Sequence, residues 1–237
     1  METTPTALVT GASRGIGRAI AAALAPTHRV LVGARTREAA ADALRAIPGS
    51  APFIADLADE DELARAVAAA GIERLDVLVH SAGVADERRF AEFTRQDWRD
   101  SFETNVFAVA DLTSRLLPAL TAARGTIVMI NSGSGLMSYP HGSVYTGTKF
   151  ALRTLADCLR EELRADGVRV TSLHPGFVKT DMGERLREEA GRSGGGADTY
   201  LDPQELADAV RYAISAPTNA QVETIVLRPR LPAPPRR

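Results

Sequence analysis

Tyr145 and Lys149 stand four residues apart, and Ser132 precedes Tyr145 by thirteen. Positions i and i+4 share one face of a helix, so a phenol and an ammonium point the same way. The pair is a proton donor with its own acidity adjuster. A free tyrosine has a pKa of about 10, too high for proton exchange at neutral pH. A neighbouring ammonium favours the phenolate. Lowering the pKa by about three units requires roughly 4 kcal/mol of differential stabilisation, within reach of a charge in a dry site. Such a phenol could then give a proton to a developing alkoxide or take one from a hydroxyl.

A second constellation lies near the start of the chain. Gly11-Ala12-Ser13-Arg14-Gly15-Ile16-Gly17 follows the first apolar run. Gly11 permits a tight turn, Gly15 lets backbone approach a phosphate, and Gly17 lets the following helix pack on a sheet. Backbone N–H groups at a helix N-terminus attract a pyrophosphate. The glycines sit between a strand and a helix, the context such a seat requires.

The rest of the chain must position these groups. Short Val-, Ile- and Leu-rich runs predict strands at Ala7–Thr10, Arg29–Gly33, Pro52–Ala55, Leu75–His80, Thr126–Asn131, Arg169–Leu173 and Thr224–Leu227. Helical patterns fall between them, at Gly15–Ala25, Arg37–Ala46, Asp59–Ala70, Arg95–Ala123, Ser143–Ala165 and Pro203–Ser215. Strand–helix alternation implies right-handed crossovers and a doubly wound α/β Rossmann fold, a seven-stranded parallel sheet with helices on both faces. Asp166-Gly167 closes one helix, and Asp202-Pro203 opens the last. We expect one domain over residues 1–237. Two segments break the rhythm, a loop at Gly135–Gly142 and an irregular, glycine-bearing stretch at Thr180–Leu201. The latter, with Gly191 and Gly194-Gly195-Gly196, reads as a mobile lid over the substrate. Leu231–Arg237 reads as a loose tail.

Composition narrows the function. The chain has 237 residues, 45% apolar and 24% charged, with a net charge of −2. That charge gives no reason to expect nucleic acid or an anionic membrane. No apolar run approaches the roughly 20 residues of a bilayer span. The start, Met1–Pro5, does not look like a signal peptide. Cys158 is the single cysteine, so no internal disulfide can form. It reads as a small apolar residue on a buried helix. His28, His80, His141 and His174 are scattered without ligand spacing, so no metal is expected. A reducing cytoplasm fits these features.

The spacing of the glycine turn resembles the short-chain dehydrogenase/reductase family. The resemblance runs on through Asp56-Leu57, Ser81-Ala82-Gly83, Asn105, Ser132, Tyr145, Lys149 and Pro175-Gly176, covering almost the whole chain. It implies that Asp56 and Leu57 lie by the adenine and that Ala82-Gly83 line the adenosine side. Pro175, Gly176, the Val178 backbone and the Thr180 hydroxyl would hold the nicotinamide end. The positive nicotinamide ring would further favour the Tyr145 phenolate. Lys149 would also grip the ribose hydroxyls, and Asn105 would keep a water for a proton relay. Ser132 ends its strand at the ligand-binding edge, where its hydroxyl can hold the substrate oxygen. Ser134 is the alternative serine; the spacing to Tyr145 selects Ser132.

The second strand indicates the coenzyme. Members that prefer NAD usually end it with an acid, and here Ala34-Arg35 stands instead. Arg35 and Arg14 together suit a 2′-phosphate, so NADP(H) is expected. There are departures from the family pattern. His80-Ser81 replaces two asparagines, His80 reading as structural. The last strand lacks a Gly-Gly ending and continues into Arg228-Pro229. In that it looks like the branch acting on hydroxy acids and small aldehydes or ketones.

The substrate pocket is expected between Gly133–Pro140, His141, Phe177 and the lid. Leu136, Met137, Tyr139 and Phe177 would make it apolar, with Ser134 and His141 as polar handles and Met182 and Leu186 closing over it. Lid arginines Arg185, Arg187 and Arg192 could bind a carboxylate, although lid charges are usually solvated. The reading is a carbonyl/alcohol oxidoreductase acting on a small molecule. Alternatives are a hydroxy-acid dehydrogenase working oxidatively, an NADP(H) sensor without turnover, and a sugar-nucleotide epimerase or dehydratase. The helices Arg95–Ala123 and Ser143–Ala165 are expected to build a homotetramer, or a homodimer.

Overall fold

The structure is a computed structural model that describes residues 4–192 and 196–232. Seven parallel strands form the sheet: β1 (Thr6–Val9), β2 (Arg29–Ala34), β3 (Ala51–Ile54), β4 (Val77–His80), β5 (Thr126–Ile130), β6 (Arg169–Pro175) and β7 (Thr224–Leu227). Their order is β3-β2-β1-β4-β5-β6-β7. The order reverses between β1 and β4, and at such a point a crevice opens beyond the strand ends.

Among the described residues there are eight α-helices, α1 (Gly15–Leu24), α2 (Arg37–Ala46), α3 (Glu60–Ala70), α4 (Arg95–Phe102), α5 (Ala108–Ala123), α6 (Ser143–Glu162), α7 (Asp181–Glu189) and α8 (Pro203–Ile214), and helices lie on both faces of the sheet. The strands alternate between two cores. Ala7 and Val9 pack with Ile20, Leu24 and Val210 on the α1/α2/α8 side. Leu8 packs with Leu63, Leu112, Leu116 and Leu152 on the α3/α5/α6 side. Both faces of each central strand are therefore apolar, which explains the uninterrupted runs in the sequence. Each buried leucine contributes about 1.5–3 kcal/mol relative to exposure.

Four expectations need correction. First, the predicted helix Arg95–Ala123 is two helices joined by a widened turn at Glu103–Phe107, where Ala108 N–H donates to the Glu103 carbonyl. Insertions of this kind often mark functional sites, and Asn105 lies inside it. The joined rod is also long and apolar enough to match a membrane-crossing helix, which the sequence reading did not expect. Leu112, Leu116 and Leu120 are instead buried in the core beside the sheet.

Second, the lid has regular structure. Thr180 caps α7 by accepting from Gly183 N–H at 3.1 Å, and Asp181 and Glu184 complement the first turn. Arg187 is fully buried. It donates to the Arg192 carbonyl at 2.9 Å and to the Thr199 carbonyl at 3.1 Å. Its guanidinium also lies 4.1 Å from the centre of the Tyr200 ring. The lid's ends meet in a parallel bridge between Val178 and Leu201. Gly194 and Gly195 lie outside the described residues.

Third, the expected loose tail begins as a cavity wall. Leu231 N–H donates to the Asp198 carbonyl at 3.0 Å, and Leu231 and Pro232 line the cavity. Residues 233–237 lie outside the described residues. Fourth, Cys158 is exposed; it stands on α6 two residues before the buried Arg160.

Candidate active site

The site is assembled where β1, β4, β5 and β6 end. The Thr10 hydroxyl accepts from Ser81 N–H at 3.0 Å and Ala82 N–H at 3.1 Å, tying the turn after β1 to the end of β4. Gly11 adopts φ +62, and a Cβ there would lie 2.8 Å from the Ala82 backbone. A Cβ on Gly17 would come within 2.4 Å of the Gly11 carbonyl oxygen. Gly17 is thus required by packing against the turn itself as much as against the sheet. Arg14, at the N-cap of α1, places no side-chain acceptor on the first-turn N–H groups. They remain directed at an incoming anion.

From Ile16 a cavity of about 820 Å³ runs past Ala82, Gly83, Ser132 and Tyr145 to Arg228 and Pro232. Its size is that of a pocket for a small organic ligand. Its walls also include Lys149, Pro175, Gly176, Val178 and Thr180. Thus the residues expected at the nicotinamide end share one space with the reacting groups.

Tyr145 and Lys149 occupy the start of α6, 9% and 5% exposed. Lys149 Nζ donates to the Ile130 carbonyl at 3.1 Å and lies 5.7 Å from the centre of the Tyr145 ring. Burial lowers Lys149 to about 8. Burial also pushes the Tyr145 phenol above its ordinary range, the hydrogen bond with Ser132 pulls it down, and Glu87 adds a push upward. The acidification anticipated from the Tyr–Lys spacing is therefore opposed by desolvation.

Ser132 is held on three sides. Its N–H donates to Asn131 Oδ1 at 2.9 Å, and its Oγ accepts from Ser134 N–H at 3.1 Å. Its carbonyl meets His174 Nδ1 at 2.9 Å. Asn105 is spent on the protein. Its Oδ1 accepts from Val84 N–H at 2.9 Å, and its Nδ2 donates to Val84 O at 2.8 Å and Thr148 Oγ1 at 3.1 Å. Both amide protons are committed, so only a lone pair on Oδ1 remains for a water. His80 is structural. Its Nε2 lies 2.9 Å from Thr113 Oγ1, and burial lowers it to about 3, keeping the ring neutral.

Of the adenosine-side candidates, Ala82 and Gly83 line the cavity, whereas Ser13, Arg14, Arg35, Asp56 and Leu57 lie outside it. Asp56 N–H donates to Glu62 at 2.9 Å, and its carboxylate accepts from Ala58 N–H at 3.0 Å, which shapes the loop carrying Leu57. Ser13 is half-buried in the glycine turn, and Arg35 is exposed. Arg14 pairs with Asp181 at 3.2 Å, both side chains well exposed. The sequence offered no sign of that partner.

Of the residues expected around a substrate, Ser134, Met137, Tyr139, Phe177, Met182 and Leu186 line the cavity. Leu136 and His141 do not. His141 is exposed at φ +73, and its carbonyl accepts from Arg88 N–H at 3.0 Å. Arg187 is buried structure, and Arg185 is pinned to the Ala85 carbonyl at 2.9 Å. Glu87, Arg228 and Pro229 were not anticipated as walls. A Cβ on Gly133 would lie 2.7 Å from Arg228 Nη1, so this guanidinium covers the residue after Ser132. Arg228 has no ion pair among the described residues. Parallel pairing of Pro175 with Leu227 carries it there; the alignment of β7 beside β6 was the available signal.

These residues fit a dinucleotide: an uncapped helix start, two glycines that no side chain can replace, and a cavity opening at Ile16. The chain belongs to the short-chain dehydrogenase family, whose sequence profile matches residues 5–191. It is a nucleotide-binding oxidoreductase of that family. It is similar to "Serine 3-dehydrogenase" of Agrobacterium fabrum, 31% identical over 234 residues, covering 94% of this chain and 93% of that protein. Human "Dehydrogenase/reductase SDR family member 11" is 33% identical over 244 residues, covering 94% and 93%. Among solved structures, an alcohol dehydrogenase from the archaeon Thermococcus sibiricus, complexed with 5-hydroxy-NADP, superposes with a TM-score of 0.84 at 28% identity, covering 95% of this chain and 97% of that one. Actinorhodin polyketide ketoreductase with NADPH gives 0.86 at 28%, covering 97% and 98%.

Proposed function

We propose that this chain interconverts a ketone or aldehyde with its alcohol, with NADP(H) as coenzyme and Tyr145 as general acid/base. The observation that carries this reading is that Ser132, Tyr145 and Lys149 line one cavity that reaches Ile16 at the start of α1. When bound, the coenzyme supplies or accepts the hydride, and its oxidised ring adds positive charge near the phenol. Ser132 holds the substrate oxygen. Tyr145 gives that oxygen a proton in reduction and removes it in oxidation. Lys149, cationic below about pH 8, stabilises the phenolate. Met182 and Leu186 on α7 keep water from the cavity.

The NADP(H) preference rests on Ala34 in place of an acid and on exposed Arg35 and Arg14 at that edge. Ligands in the two related structures, 5-hydroxy-NADP and NADPH, agree with it. A second reading, oxidation of a hydroxy acid, is favoured by Arg228 beside Ser132 and by the resemblance to a serine 3-dehydrogenase. Retention of Ser132, Tyr145 and Lys149 weighs against a sensor without turnover. We read the protein as one domain, cytoplasmic, and as a homotetramer or homodimer. Phe107 and Phe150, 53% and 40% exposed, supply an apolar face for association. The test is NADPH absorbance with a panel of ketones, aldehydes and hydroxy acids. Turnover by wild type and none by Tyr145→Phe is expected; equal rates for both reject the mechanism.

A further inference from the structure

The backbone of Ser132 is held by a closed circuit of hydrogen bonds. Ser132 N–H donates to Asn131 Oδ1 at 2.9 Å. Asn131 Nδ2 donates to Ser172 Oγ at 3.4 Å. Ser172 Oγ lies 2.9 Å from His174 Nε2, and His174 Nδ1 lies 2.9 Å from the Ser132 carbonyl oxygen. The path leaves Ser132 through one peptide group and returns through the other.

Strand pairing builds this circuit. β5 and β6 run parallel, with Met129 beside Ser172 and Ile130 beside Leu173. Residues two apart on a strand face the same side, so Ser172 and His174 stand in line. Asn131 N–H donates to Leu173 O at 2.8 Å, which sets Asn131 alongside them. All three are buried. A Cβ on Gly135 would lie 2.6 Å from Asn131 Oδ1, so the turn after Ser132 closes over the amide.

The partners fix the direction of every proton. A carbonyl oxygen only accepts, so His174 Nδ1 carries the hydrogen, and in the neutral ring Nε2 is bare. A bare Nε2 also only accepts, so the Ser172 hydroxyl donates to it and keeps its lone pairs for Asn131 Nδ2. A backbone N–H only donates, so Asn131 turns its oxygen to Ser132. All four bonds run in one sense around the circuit, and bonds so aligned polarise one another. Burial lowers His174 below its ordinary range; the bond to Ser132 raises it, and the cations Arg153, Arg228 and Lys149 lower it further. The ring is therefore neutral at pH 7. An imidazolium would present a second donor to Ser172, turn the serine proton away and break the circuit.

We propose that His174 is a positioning residue for the reaction: with Ser172 and Asn131 it locks both peptide groups of Ser132 and so fixes where the Ser132 hydroxyl stands in the cavity. The proposal rests on Ser132 holding the substrate oxygen. Asn131 and Ser132 line the cavity and His174 does not, so the imidazole acts on a substrate only through Ser132. With both flanking peptides held, the hydroxyl moves only by rotation about its own side-chain bond, and Ser134 N–H at 3.1 Å selects one position. A misplacement of about 1 Å in such a group can cost about a hundredfold in rate.

Two substitutions separate the bond to Ser132 from the filling of space. The amide nitrogen of asparagine takes the place of Nδ1, so His174→Asn keeps a donor for the Ser132 carbonyl. The amide of glutamine takes the place of Nε2, so His174→Gln loses that donor. With a substrate from the panel, His174→Gln is expected to lose about ten- to a hundredfold in kcat with NADPH affinity unchanged, and His174→Asn to stay within about threefold of wild type. Equal kcat in the two variants overturns the proposal. Ser172→Ala opens the circuit on its far side at little change in volume, and it serves where a His174 variant fails to fold. It should cost about fivefold in kcat, the worth of one hydrogen bond; wild-type kcat in this variant overturns the circuit. A further readout needs no turnover. In nitrogen-15 NMR of histidine-labelled protein at pH 7, the His174 signals, assigned by their absence in His174→Asn, should show a protonated Nδ1 and a bare Nε2. The opposite tautomer or an imidazolium overturns the proposal. If the wild type turns over nothing in the panel, the functional reading fails, and the tautomer alone decides the circuit.

Discussion

Lys149 Nζ lies 5.7 Å from the centre of the Tyr145 ring while its proton is shared with the Ile130 carbonyl on β5 at 3.1 Å. The ammonium is thus tied to the sheet and faces the phenol from a fixed point. Burial pushes the Tyr145 phenol upward, and the Ser132 hydroxyl pulls it down.

Tyr145→Phe removes one oxygen and preserves the volume of a buried ring. Turnover is expected to fall by about a hundredfold to ten-thousandfold, the range for loss of a general acid. NADPH affinity should change little, since Ile16, Val178 and Thr180 remain in place. Steady-state rates and a fluorescence titration with NADPH check both parts.

Lys149 makes stability depend on alkaline pH. Burial lowers it from 10.5 to about 8. Below pH 8 both folded and unfolded chains hold the proton, and the cost of burying the charge is fully present. Between about 8 and 10.5 only the unfolded chain holds it, so this cost fades and stability from this group rises with pH. Comparing Lys149→Met with wild type in denaturant titrations, the variant's relative advantage should shrink across that window by up to about 3 kcal/mol.

His80 predicts an acid-side effect. It is lowered from 6.5 to about 3 by burial. The unfolded chain gains a proton as pH falls through about 6.5, while the folded ring does not until about 3. Folding stability from this group is therefore lost on acidification across that interval, at up to about 1.4 kcal/mol per pH unit. His80→Gln, still able to reach Thr113, should flatten the melting temperature between pH 6 and 4 by that account. An equal slope in both proteins refutes it.

Arg35→Asp tests coenzyme choice. Losing one charge-assisted bond costs about 1.5–3 kcal/mol, so the NADPH-to-NADH ratio of kcat/KM should fall by about ten- to a hundredfold. Arg14→Ala should lower it as well, with stability nearly unchanged, because its pair with Asp181 is exposed.

The sheet and most of the cavity-lining residues were legible because they depend on local pattern. Apolar strands buried on both faces leave continuous runs, and Tyr145 and Lys149 reveal themselves by helical spacing. The helix α7 was hidden by Gly183 in its first turn and by the nearby glycines, although Thr180 followed by Asp181 was a readable cap. Arg228 and Glu87 were hidden for a different reason. They reach the cavity only through tertiary placement, β7 beside β6 and the β4–α4 connection across from Tyr139. Leu136 and His141 failed as wall residues because a short turn, with His141 at positive φ, reverses which side chains face inward. The widened turn at Asn105 also leaves no periodic trace, since the apolar pattern resumes after it.

The bridge between Val178 and Leu201 has an evolutionary reading. Leu201 N–H donates to Phe177 O, and Lys179 N–H donates to Leu201 O, each at 2.8 Å. The intervening excursion leaves and rejoins the body at this clasp, with further ties through Arg185 to the Ala85 carbonyl and from Leu231 N–H to the Asp198 carbonyl. It is a cartridge: its length and composition can be exchanged while the register of the sheet stays untouched. Changes in length or composition between Val178 and Leu201 would leave the clasp's backbone hydrogen bonds in place.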